Sequence, residues 1–161
     1  MKQTKHYCHP ILDNQRWQDY QPRADDVVIA TSFKSGTTWM QMIVLNLIYN
    51  QHKPPLLKDV DHWIDARFSP VSEMLERLEN QQDRRFIKTH LPVDAIPLYQ
   101  EVKYIVVDRD PRDVFMSLYN HYKNLNIAWI NSNLPDDITP IPNCPDDIKF
   151  FWQQWLTRGY F

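Results

Sequence analysis

Residues 28 to 44 read "VIATSFKSGTTWMQMIV". An apolar, β-branched run leads into Lys34-Ser35-Gly36-Thr37-Thr38, and from Trp39 onward the chain is apolar again. Val and Ile favour a strand, and the apolar run after the turn is long enough for a helix. A strand turning tightly into a helix leaves the first helical N–H groups unpaired, and these attract an anion together with the helix dipole. Gly36 permits the turn, Ser35, Thr37 and Thr38 add hydroxyl donors, and Lys34 adds a charge. The phosphate loop of nucleoside triphosphatases reads G-x-x-x-x-G-K-[ST], with its lysine after the second glycine. Here the lysine stands two residues before Gly36 and the first glycine is absent. That order disfavours a nucleoside triphosphatase or nucleotide kinase.

Three β-type runs punctuate the chain: "DVVIATS" (26–32), "RRFIKTH" (84–90) and "KYIVVDR" (103–109). "VVIA" and "YIVV" are nearly continuous apolar runs, which suit parallel strands covered on both faces. Helical patterns alternate with them. Residues 37–50 are apolar almost all round, which predicts a buried helix. Residues 71–79 place Val71, Met74, Leu75 and Leu78 on one face. Residues 111–122 open with Pro111, suited to a first helical turn, and carry Val114, Phe115, Leu118, Tyr119 and Tyr122 as the apolar set. Residues 145–159 start at Pro145, hold acids in the first turn and Arg158 in the last, and stop at Gly159. Their expected buried stripe is Ile148, Phe151, Trp152, Trp155 and Leu156. The proline-rich stretch 134–145 reads as a loop. The alternation predicts an α/β fold with a P-loop-like central parallel sheet flanked by helices. Residues 1–161 form a single domain on this reading. "LTRGYF" follows a helix with no later element to finish the layers, so an incomplete fold, the N-terminal portion only, is expected.

In an open parallel sheet, ligands bind beyond the carboxyl ends of the strands. Those ends are "SFKSGTT", "KTHLP" and "DRDPRD". All three carry basic or hydroxyl groups, so together they point to one anion-binding crevice. His90 is a candidate general base because an imidazole titrates near neutrality. Arg109, at a strand end, suits bidentate recognition of a phosphate, with Ser117 in the second turn of the following helix. Arg112 is expected to pair with a neighbouring aspartate instead.

Composition narrows the function. A 43% hydrophobic and 13% aromatic content argues against a disordered chain. A net charge of -2 and a pI of about 6.3 disfavour a nucleic-acid binder, yet leave room for a local basic pocket. Cys8 and Cys144 lack metal-ligand spacing, and nothing requires a disulfide between them, so a reducing cytoplasm is expected. "MKQTKHYCHP" lacks the apolar core of a signal peptide. The apolar run from Trp39 to Tyr49 is interrupted by Gln41 and Asn46 and is too short to span a bilayer. No membrane insertion is expected.

Taken together, "FKSGTTW", "KTHLP" and "VDRDPRDVFMSLYNHY" resemble the signature stretches of the cytosolic-type sulfotransferases, in order and in spacing. The resemblance runs over residues 26 to 122, and "FWQQWLTRGYF" resembles the helix that follows. It implies transfer of a sulfuryl group from 3′-phosphoadenosine 5′-phosphosulfate (PAPS) to an acceptor hydroxyl or amine, leaving 3′-phosphoadenosine 5′-phosphate (PAP). By the same resemblance, residues Lys34, Ser35, Gly36, Thr37 and Thr38 would wrap the 5′-phosphosulfate, with Lys34 on the leaving oxygen. Trp39 would stack on the adenine, and Arg109 and Ser117 would hold the 3′-phosphate. His90 would take the acceptor proton and Lys88 would help bind the transferring group. No metal is implied. Phe33 stands where the family usually has proline; it leaves the loop entrance freer and is a candidate for the acceptor pocket. Trp63, Phe68 and the aromatics from Tyr122 to Trp129 are further candidates, and the implied acceptor is a small apolar or phenolic molecule. Family members are considerably longer, and their C-terminal half supplies further phosphate-binding residues and, in many, a dimerisation motif; a homodimer is implied for a full-length enzyme. The alternatives are a truncated, non-catalytic nucleotide-binding module and, less favoured, a P-loop nucleotide kinase.

Overall fold

The computed structural model of the chain describes residues 5–50, 53–134 and 138–158. A 3-10 turn, Asn14–Trp17, precedes β1 (Val27–Thr31). There follow α1 (Thr37–Ile48), α2 (Leu57–Val60), α3 (Val71–Asn80), β2 (Phe86–Thr89) and β3 (Lys103–Val107). The last elements are α4 (Pro111–Lys123), α5 (Ile127–Ser132) and α6 (Ile148–Arg158). The strands form one parallel sheet in the order β2-β1-β3, with Ala30 level with Thr89 and Thr31 level with Val107. Parallel pairing brings all three carboxyl ends to one edge.

β1 is buried along its whole length, as its unbroken apolar run requires. Alternate residues serve opposite faces. Val27 and Ile29 join Val44, Leu45, Val60 and Phe86 on the α1 side. Val28 and Ala30 join Ile87, Phe115 and Leu118 on the other. In α4 all five expected apolar residues are buried. Asp110 caps that helix by accepting from Arg112 N, and Pro111 begins it.

Three elements depart from their sequence patterns. β3 lies at the sheet edge, so its apolar run is not covered on both faces; Val106 is 76% exposed. α1 is not buried all round, because it meets the sheet along one stripe only. Gln41, Val44 and Leu45 are buried, whereas Leu47 is 72% exposed. α6 buries Phe151 alone of its expected stripe, and Leu156 is exposed. The expected Gly159 stop lies outside the described residues, as do 135–137 of the proline-rich loop.

A buried ionic cluster ties the amino ends of the strands together. Arg85 donates to Asp26 through Nε at 2.8 Å and also through Nη2, while its Nη1 reaches Glu79 at 2.7 Å. Tyr20 donates its hydroxyl to the same Asp26. Burial works to raise the Asp26 carboxyl, but Arg85 and Tyr20 outweigh it and hold it below the ordinary range. Arg85→Met would leave this carboxylate buried without its cation. The expected loss is about 3–5 kcal/mol, read as a lower urea midpoint at unchanged slope.

Candidate active site

The turn after β1 is the frame of the site. Lys34 has φ 64 and Gly36 φ 108, while Ser35 between them stays at negative φ. Such an alternation of backbone hand is the kind that builds anion-binding concavities, although the Ser35 N–H is given to the Ser32 carbonyl at 3.3 Å. A Cβ at Gly36 would meet nothing within 4 Å, so conformation rather than space asks for glycine. No side-chain cap bonds to the first turn of α1, which leaves N–H groups there available to a ligand.

Two hydroxyls of the turn are engaged locally. Ser35 is buried and its Oγ contacts that of Ser32. Thr37 Oγ1 lies 2.6 Å from Thr31 Oγ1 at the end of β1. The remaining donors and cations meet around a cleft of about 800 Å³. It is lined by the whole turn from Phe33 to Trp39, with Lys88 and His90 from the end of β2 and Arg109 and Ser117 beyond β3. Gln41, Trp63 and His121 complete the lining. Trp39 is 81% exposed there.

His90 is held on three sides. Its Nδ1 lies 2.9 Å from the Thr31 carbonyl, which can only accept. The neutral ring therefore carries its proton on Nδ1, and Nε2 keeps a free lone pair. Phe33 stacks on the ring at 4.2 Å, and Trp63 meets it edge-on at 5.2 Å. Burial lowers the imidazole pKa to about 4, with Lys88 and Lys34 adding to the effect. The Trp63 indole N–H is in turn fixed 3.0 Å from Asp65, whose carboxyl is pushed up to about 6 by burial.

Lys88 donates to Asp61 at 2.7 Å and lies over the Trp63 ring at 4.8 Å. The Arg109 guanidinium makes long contacts, 3.5 Å to Asp113 Oδ2 and 3.5 Å to the Lys34 carbonyl. Arg112 pairs with Asp110 at 2.6 Å, an aspartate partner as expected.

A second cavity, of about 550 Å³, adjoins the cleft and shares Phe33 and His90 with it. Its walls include Tyr7, Leu12, Leu91, Ile96 and Val106 and are mostly apolar. Of the expected acceptor-pocket residues, Phe33 lines both spaces and Trp63 lines the cleft. Phe68 lines neither; it packs edge-on against Trp63 at 6.0 Å. Tyr122 belongs to the core and Trp129 is exposed.

Sequence reasoning missed Asp61, Gln41 and His121. Gln41 did leave a signal, an amide inside an apolar run. Elsewhere, His6, Cys8 and Asp13 come within 4.8 Å of one another. None lines the cleft, and the Arg67 guanidinium 3.2 Å from Cys8 Sγ opposes a cation there. Cys8 and Cys144 are free thiols. Among the described residues, no helix is long and apolar enough to cross a membrane.

The sulfotransferase domain family matches residues 24–161. A glycolipid sulfotransferase of Mycobacterium tuberculosis is 42% identical over 121 residues, covering 74% of this chain and 37% of that protein. Sulfotransferase 1A1 of Rattus norvegicus is 38% identical over 114 residues, covering 65% of this chain and 38% of the relative. The chain thus spans less than two-fifths of the length of these curated relatives. Among solved structures, mouse sulfotransferase SULT7A1 complexed with PAP superposes with a TM-score of 0.59 at 22% identity, over 89% of this chain and 44% of that one. Retinol dehydratase in a complex with retinol and PAP gives 0.57 at 21% identity, over 92% and 52%. These two likenesses bear on the fold.

Proposed function

The chain belongs to the sulfotransferase domain family, and from that premise we propose that its two adjoining cavities serve sulfuryl transfer from PAPS to a hydroxyl group. The observation that carries the reading is the shared wall. Phe33 and His90 border both the polar cleft and the apolar cavity, so an acceptor and a donor would meet at His90. PAPS occupies the cleft. Lys34 and the open N–H groups of the turn face its 5′-phosphosulfate, Arg109 and Ser117 its 3′-phosphate, and Trp39 its adenine.

The transfer is in-line. The acceptor hydroxyl gives its proton to His90 Nε2 while its oxygen bonds to sulfur. The bond from sulfur to the bridging phosphate oxygen breaks, and PAP leaves with that electron pair. Charge grows on the bridging oxygen, which is why an ammonium at Lys34 lowers the barrier. The protein needs little covalent chemistry beyond positioning and charge. Imidazolium forms on His90 next to an anionic nucleotide, which stabilises it more than the free cleft does. The apolar cavity suits a small apolar or phenolic hydroxyl compound.

Calorimetric titration tests the donor half. PAP is expected to bind without added metal, and ATP with magnesium is expected to bind far more weakly. The reverse preference would turn the reading toward a P-loop kinase. PAP binding without any transfer would instead favour a non-catalytic nucleotide-binding module.

A further inference from the structure

We propose that Asp61 is a positioning residue for the transfer, holding the Lys88 ammonium in the donor cleft and itself held by Gln41. The inference rests on the reading of the cleft as a sulfuryl-donor site. Asp61 sits at the carboxyl end of α2 and uses both carboxylate oxygens. Oδ2 accepts from Lys88 Nζ at 2.7 Å and Oδ1 from Gln41 Nε2 at 2.7 Å. Gln41 is 1% exposed and lies on α1 directly after the anion-binding turn. The backbone sets the same register: Lys88 N donates to the His62 carbonyl at 2.9 Å, and His62 bridges Ile87. Trp63, two residues after Asp61, supplies the ring beneath the ammonium. One short segment, Asp61 to Trp63, thereby fixes Lys88 through its backbone, its head group and its flank.

A free lysine side chain samples many rotamers, and ordering it costs entropy. Asp61 removes that freedom before the donor arrives. It also cancels part of the local positive charge, so its two effects on nucleotide affinity differ in sign. A sulfuryl group near Lys88 gains from the fixed head, whereas a nucleotide lacking that group meets only the carboxylate's repulsion. A carboxylate that merely held the fold together would affect both nucleotides alike.

The experiment compares PAP and PAPS affinity in the wild-type chain, Asp61→Asn, Lys88→Met and the double variant, without acceptor, so no turnover is needed. Urea midpoints identify any variant that fails to fold. In Asp61→Asn the ratio of PAPS to PAP affinity is expected to fall about 10-fold, toward the Lys88→Met value. PAP affinity itself is expected to hold or to rise a few-fold, by about the strength of one screened charge. The ratio in the double variant is expected to match that of Lys88→Met alone, because Asp61 acts on the sulfuryl group through Lys88. An unchanged ratio in Asp61→Asn, or an equal loss of both affinities, overturns the proposal. So does a double variant whose ratio falls by the product of the two single effects. A wild-type chain that binds neither nucleotide overturns the donor-site reading beneath it, a result distinguishable from the others.

Discussion

Replacing His90 with glutamine is expected to slow sulfuryl transfer by about 10²- to 10⁴-fold, the range for loss of a general base. Glutamine keeps much of the ring's volume and a hydrogen bond toward Thr31, but it offers no basic nitrogen to the acceptor. PAP affinity is expected to change little, because no contact with the nucleotide is assigned to His90. The pH profile supplies a second signature. As the proposed base, His90 would have to be neutral to accept a proton, and burial lowers its pKa to about 4. Rate under limiting substrate is therefore expected to fall as pH drops through about 4, a limb that the His90→Gln variant lacks. Bound nucleotide, being anionic, raises the imidazole pKa and moves the corresponding limb under saturation upward.

The same variant has a stability signature. Between pH 4 and the ordinary value of 6.5 the folded chain binds fewer protons at His90 than the unfolded chain. The contribution of His90 to stability therefore declines as pH falls through that window. Asp65, raised to about 6 by burial, acts in the opposite sense and partly offsets it. His90→Gln retains Asp65 alone of this pair. Relative to wild type it is expected to gain roughly 2–3 kcal/mol when pH goes from 7.5 to 4.5. Urea unfolding at the two pH values measures the difference.

Lys34 gives the second large effect. Its ammonium is assigned to the leaving oxygen, so Lys34→Ala is expected to lower transfer by about 10²- to 10³-fold, as for loss of one preorganised charge donor. Its backbone adds an independent test. A non-glycine residue at φ 64 is strained, by about 1–2 kcal/mol. Lys34→Gly removes the amine and relieves that strain, whereas Lys34→Ala removes the amine alone. Both variants are expected to be equally slow, while the glycine variant is more stable than the alanine variant by roughly 1 kcal/mol. A site that keeps strain at the residue assigned to the chemistry trades stability for geometry.

Much of the fold and of the cleft's lining was legible in the residues, for local reasons. Apolar runs ending in polar residues marked three strands and their direction, and parallel pairing then carried "SFKSGTT", "KTHLP" and "DRDPRD" to one edge. Every residue that the resemblance assigned to the donor and the chemistry, from Lys34 to Ser117, lines the one cleft. What stayed hidden depends on contacts between distant segments. Asp61 lies in a short helix-and-turn stretch without periodicity, and only the fold brings it to Lys88, 27 residues on. The apolar cavity draws on the amino-terminal segment through Tyr7 and His9, and no pattern in "MKQTKHYCHP" announces that. The exposure of α1 is hidden because an all-round apolar helix looks buried, whereas this sheet covers only one of its stripes.

The most direct measurement is incubation of the chain with radiolabelled PAPS and a panel of phenols, aliphatic alcohols and a glycolipid, followed by separation of labelled product. Labelled sulfate ester is expected on a phenol or small apolar alcohol, with stoichiometric PAP, and both are expected to be lost in Lys34→Ala and His90→Gln. Transfer that persists undiminished in both variants would contradict the assignment of the chemistry to this cleft.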